Sequence, residues 1–167
     1  MNIKYNFLMK VLILDPEKNV SYRISKDTSG GYGTGNNFGD GLIPKILKKT
    51  LKKIHDWPAM FAIYSMSVLK QNGHEVSYSK LIPDNYRNYD LFIIVSSIVC
   101  CETECEYIKQ ISDCKKKIYV IGPFATSNPK KYIDAGATVI SGEPEFYFLK
   151  NKELISSKED KIIKFEH

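Results

Sequence analysis

The chain has 167 residues, 43% of them hydrophobic, and a formal net charge of +5. That is the size and composition of one domain with a sizeable core, and no apolar run reaches the roughly 20 residues a membrane helix needs. The positive residues gather in KILKKTLKKIHDW, CKKKIYV and NPKKY, without the recognition motif of a nucleic-acid interface, so solvated basic faces are expected and no nucleic-acid partner.

The opening MNIKYNFLMKVLIL briefly mimics a signal peptide, but Asp15 and Pro16 end the apolar run and no small-residue cleavage site follows. A cytoplasmic location without membrane insertion is expected. Met9 opens a natural beginning, so residues 1–8 read as a leader. KVLILDP (10–16) is a short continuous apolar run and predicts a strand buried on both faces. Residues 17–41 have no periodicity and contain SGGYGTGNNFGDG, so they predict a long glycine-rich loop. In LIPKILKKTLKKIHDW, apolar residues at 43, 46, 47, 51 and 54 give helical spacing with a lysine-rich opposite face.

Pro58 begins a second predicted helix, which Gly73 ends as a C-cap. HEVSYS is a short strand, and YDLFIIVSS (89–97) the clearest central strand; between them residues 80–88 have room for a single helical turn. TECEYIKQISDC (103–114) reads as a helix, KKIYVIG as a strand, NPKKYIDAG as a short helix, ATVISG as a strand and EPEFYFLKN as a helix with Pro144 in its first turn. Residues 151–167 read as a tail or the start of a linker to a missing domain. Buried strands alternating with helices predict an α/β, doubly wound Rossmann-like or flavodoxin-like three-layer sandwich with about five mainly parallel strands, spanning residues 9–150.

In such a sheet, ligands bind beyond the carboxyl ends of the strands. The residues there are Asp15 and Pro16 after the first strand, Ser96 and Ser97 after the central one, Gly122, Pro123 and Thr126 after the next, and Ser141, Gly142, Glu143 and Glu145 after the last. This rim is small, hydroxylated and glycine-rich, with no lysine expected at the strand tips and no nucleophile–base pair. It suits close approach of a large flat or extended ligand. Gly33, Gly35 and Gly39 come near the dinucleotide fingerprint, but too far after the strand to work as one, and no P-loop is present. Serines stand where a phosphoacceptor domain would carry an aspartate.

The four cysteines, at 100, 101, 105 and 114, do not form a secreted disulfide framework. Cys101 and Cys105 have the first spacing of the C-x3-C-x2-C motif of radical S-adenosylmethionine (SAM) enzymes, but Ile108 occupies the third position. Three thiolates are needed to hold that cluster, so no iron–sulfur cluster is expected on this chain. They read as small residues at a strand end and a helix start.

KVLILDP, the glycine-rich loop, WPAMFAIYSMSVLKQNGHEV, YDLFIIVSS, IYVIGPFAT and ISGEPEFYFL, in that order, resemble the N-terminal cobalamin-binding domain of B12-dependent radical SAM enzymes over residues 9–150. The resemblance implies a corrin resting on the carboxyl edge of the sheet. Ser96, Ser97 and Thr126 would hydrogen-bond corrin amides or the nucleotide tail. Gly122 and Gly142 would let backbone approach the ring. Glu143 and Glu145 fit either a ligand role or the cap of the last helix. The chain would be non-catalytic alone, presenting cobalamin to a radical SAM domain in cis or in trans, with methyl transfer one use of it.

The D-x-H-x-x-G motif that supplies a cobalt-ligating histidine elsewhere is absent, so cobalamin would be base-off or without that ligand, and His55, His74 and His167 read as incidental. The glycine-rich loop would fold over the cofactor, dock against the catalytic domain, or be a surface loop without contact. Two other readings stay open. NNFGDGLIP looks like the start of polysaccharide pyruvyltransferases and NGHEV occurs in glycosyltransferases, which would make the chain a fragment of a sugar-handling transferase. The third reading is an adaptor without a ligand.

Overall fold

A computed structural model of the protein describes residues 8–17, 23–36, 39, 41–54, 57–152, 154 and 161–164. In chain order the elements are β1 (Lys10–Leu14), β2 (Arg23–Ser25), a single turn α1 (Thr28–Gly31), β3 (Thr34–Asn36), α2 (Leu42–Ile54), α3 (Met60–Gln71), β4 (Glu75–Ser79), β5 (Leu91–Val95), α4 (Cys101–Ser112), β6 (Lys117–Ile121), α5 (Pro123–Ser127), α6 (Pro129–Ala135), β7 (Thr138–Ser141), α7 (Pro144–Lys150) and β8 (Ile162–Lys164).

Six strands form one sheet in the order β4-β1-β5-β6-β7-β8, every neighbouring pair parallel. The pleat sorts its residues to opposite faces. Leu12, Leu14, Phe92, Ile94 and Val120 join Ile108 and Ile111 of α4 and Tyr132 of α6 on one side. Val11, Ile13, Ile93, Val95 and Tyr119 join Ala62 and Leu69 of α3 and Phe148 of α7 on the other. The doubly wound three-layer sandwich expected from the sequence is therefore present, with six strands in place of about five. The sixth, β8, comes from the segment read as a tail; Ile163 pairs with Ile140. The step from β4 to β5 carries one 3-10 turn, Tyr86–Asn88, as the short 80–88 segment allows.

Local stops are where the sequence puts them. Gly73, at φ +92°, lets the chain leave α3, with its N–H bonded to Lys70 O and that of His74 to Leu69 O. Asn72 Nδ2 then donates to Phe148 O at 2.8 Å and ties the end of α3 to α7. Residues 1–7, most of the expected leader, lie outside the described residues.

From β1 the chain crosses to β4 on one side and then to β5 on the other. The tips of β1 and β5 are thus the topological switch point, where this architecture opens a crevice.

Candidate functional site

That crevice is plugged from within. Lys26, brought in just after β2, is 6% exposed and sends its ammonium to the tips of β1 and β5. Nζ lies 2.9 Å from Asp15 Oδ1 and 2.9 Å from Glu104 Oε1, and donates to Val95 O at 2.8 Å. Three donors meet three acceptors. Burial alone would lower the Lys26 pKa, but Glu104 and Asp15 outweigh it and hold the ammonium above its ordinary value. Glu104 is saturated as well: Ser97 N, Ser97 Oγ and Tyr132 OH all donate to it. Tyr78 OH donates to Asp15 Oδ2 at 2.8 Å.

The expectation of lysine-free strand tips is therefore corrected. A lysine distant in sequence reaches them, because two buried carboxylates at the switch point require a cation. The correction extends to the open shelf. Ser97 and Asp15 serve this ion network, and Ser96 Oγ accepts from Ala125 N at 3.1 Å, holding the start of α5. Both serines are fully buried, and Pro16 is buried beside them.

The glycine-rich segment is the roof of this network. β2 and β3 form a small antiparallel hairpin in place of the expected irregular loop. Ile98 N donates to Tyr32 O at 2.7 Å, and Tyr32 OH bonds Ser127 Oγ. The close packing explains two glycines. A Cβ on Gly31 would stand 2.5 Å from Pro123 Cγ, and one on Gly33 would stand 3.1 Å from Ser97 Cβ, both at positive φ. Only glycine can lie so close in that backbone conformation.

Among the described residues, a cleft of about 320 Å³ opens on the carboxyl edge beside the roof, over the tips of β6 and β7. Gly30, Gly31 and Asp27 form its roof side, and Met60, Phe61 and Tyr64 of α3 form an apolar, aromatic wall. Gly122 and Pro123 close it at β6, and Gly142, Glu143, Pro144 and Glu145 at the start of α7. Both oxygens of Asp27 accept from Met60 N, at 2.8 and 3.0 Å, so the roof caps α3 from a distance. Thr126 Oγ1 donates to Gly122 O and accepts from Gly142 N, each at 3.2 Å, fixing the two glycines relative to each other. Glu145 Oε2 is buried without a hydrogen-bond partner, the one such side-chain atom among the described residues. A buried carboxylate oxygen left bare costs free energy, which a donor that reaches it would recover.

Of the rim residues singled out in the sequence, Gly122, Pro123, Gly142, Glu143 and Glu145 come together in this cleft, and Thr126 braces it. Asp15, Pro16, Ser96 and Ser97 do not line it. Ser141 is half-buried at the end of β7. Lys26, Glu104, Asp27, Phe61 and Tyr64 were not anticipated. Glu104 had a readable sign: it falls on the buried stripe Cys101–Glu104–Ile108–Ile111 of α4, where a carboxylate must find partners.

The cysteines are thiols. Cys100 and Cys101 are buried at the strand end and helix start, and Cys101 and Cys105 edge a separate cleft of about 380 Å³ between α4 and α6. Burial and the neighbouring Cys101 push the Cys105 thiol up to about 12, so it is a poor nucleophile. His74 precedes β4, at the amino edge of the sheet. Its ring nitrogens face Met9 N at 3.4 Å and Lys152 O at 2.9 Å, a structural role. His55 and His167 lie outside the described residues.

No protein-family model matches the chain, and searches of curated proteins and of solved structures found no match.

Proposed function

We propose that the chain is a cofactor-binding module whose carboxyl-edge cleft takes a donor-rich arm of an extended ligand. Cobalamin is the ligand the sequence resemblance implies, and a radical SAM domain, in cis or in trans, is the partner to which it would be presented. The observation that carries the reading is a glycine-floored cleft with an aromatic wall, lined by Glu145, whose Oε2 is buried without a hydrogen-bond partner.

The cleft's chemistry narrows the ligand. Among the described residues, three carboxylates, Asp27, Glu143 and Glu145, line it and no lysine or arginine does. A phosphate would meet repulsion there, which weighs against a sugar nucleotide. Amide N–H2 or hydroxyl groups, which corrin side chains and a ribose supply, would satisfy Glu145. At about 320 Å³ the space is near the lower end for ligand pockets. The residues thus fit one polar arm of cobalamin, and they do not fit a corrin disc seated on the tips of β1 and β5, which Lys26 fills.

In this reading Glu145 accepts from the arm, Phe61 and Tyr64 stack against its flat part, and Thr126 holds Gly122 and Gly142 back so that the arm can approach the main chain. Bound cobalamin would supply methyl-transfer or electron chemistry at cobalt. Among the described residues no nucleophile–base pair lines the cleft, and this reading gives catalysis to the partner.

The test is gel filtration after mixing with excess hydroxocobalamin. Red absorbance co-eluting with the 19.1 kDa chain is expected. Colourless protein at ligand concentrations up to about 1 mM, the weak end of specific binding, would overturn the reading.

A further inference from the structure

We propose that α2 is an interfacial helix that lays its apolar face on an anionic phospholipid surface. Four of its apolar residues stand in solvent. Leu42, Ile43 and Ile46 are 78, 71 and 60% exposed, Leu47 is 44% exposed, and Trp57 just beyond the helix is 75% exposed. Thr50, on the same side, uses its hydroxyl to bond Ile46 O at 2.9 Å, so it presents little polarity outward.

The charge pattern decides the occupant. Residues 42–54 contain five lysines, at 45, 48, 49, 52 and 53, and no acidic residue. A 100° step per residue sets positions 45, 48 and 52 opposite the apolar ones, position 49 at their flank and position 53 among them. A second copy of the chain would cover the apolar residues but leave the opposite lysines, which face away from such a seam, without a counter-charge. An anionic lipid surface accepts both halves at once: the aliphatic side chains enter the headgroup–acyl boundary and the lysines reach up to the phosphates. At 13 residues the helix is about 20 Å long, short of the ~30 Å hydrocarbon core, so it lies in the plane of the interface. No described helix is long and apolar enough to cross a membrane.

The experiment is independent of the cleft. Trp57 is the chain's single tryptophan, so its emission reports this site alone. The full chain is titrated with phosphatidylcholine vesicles, with or without about 30% phosphatidylserine. A blue shift and co-flotation are expected with the anionic vesicles only, reversed by high salt. Lys45→Gln/Lys49→Gln should lower the partition coefficient about thirty-fold, roughly five-fold per lysine. Ile43→Ser/Ile46→Ser should abolish the blue shift with an unchanged circular dichroism spectrum. Three results would overturn the proposal: no binding to anionic vesicles, equal binding to neutral ones, or a concentration-dependent dimer that buries Trp57 without lipid.

Discussion

Replacing Lys26 with methionine removes the cation that pairs the buried Asp15 and Glu104, 4% and 0% exposed. Each carboxylate oxygen lies 2.9 Å from Nζ. At an effective dielectric of about 20, each contact is worth roughly 6 kcal/mol before desolvation, and burying the ammonium takes back several. The net loss expected for breaking such a network is about 3–5 kcal/mol, because two carboxylates stay buried without a counter-charge. Against a typical total of about 5–15 kcal/mol this is a large fraction. With an m-value of about 2 kcal/mol/M, the urea midpoint at neutral pH falls by about 2 M. Neutralising the whole site in Asp15→Asn/Lys26→Met/Glu104→Gln should recover part of the loss, since no charge is then stranded. A single variant within about 0.5 kcal/mol of the parent, or a triple variant less stable than the single one, would refute the reasoning.

Further predictions concern the cleft and the pH response. Glu145→Leu removes the bare oxygen, so it should stabilise the ligand-free protein by about 1–3 kcal/mol while weakening cobalamin binding at least tenfold, read by thermal unfolding and absorbance titration. Gly122→Ala places a Cβ 2.8 Å from Ser96 Oγ and 2.9 Å from Phe61 Cε2 at φ +113°, and should cost at least about 1–3 kcal/mol in urea unfolding. Stability should hold from neutral pH to about 10 and fall above it. Burial and Asp15 raise the Tyr78 pKa, burial and Glu104 raise that of Tyr132, and the carboxylates raise that of Lys26. Each group binds its proton more tightly folded than unfolded, so each contribution is complete below the unfolded value and lost as pH rises past it. A urea midpoint unchanged between pH 9 and 11, a span bracketing those unfolded values, would contradict this.

The fold was legible because its cues are local. LFIIV is apolar on both faces and reads as a central strand, and Gly73 and Pro144 punctuate helices wherever they occur. Half of the rim was legible for the same reason: Gly122 and Gly142 directly follow strands. The ion network was not, because Lys26 sits in a stretch without periodicity, 78 positions from Glu104, and only the folded hairpin joins them. The serines misled for a related reason. Small hydroxylated residues at strand tips suit a ligand or an internal hydrogen bond equally well, and Glu104 and Ala125 claim them here. For α2, periodicity revealed two faces but not that Leu42, Ile43, Ile46 and Leu47 stand in solvent.

The most direct measurement of the central claim is amide hydrogen exchange of the full chain with and without hydroxocobalamin. Slowed exchange confined to 27–33, 60–64, 122–126 and 142–147, the walls of the cleft, is the predicted result. Tight binding that leaves those segments unchanged would contradict the placement, and protection concentrated elsewhere would move the site away from Glu145.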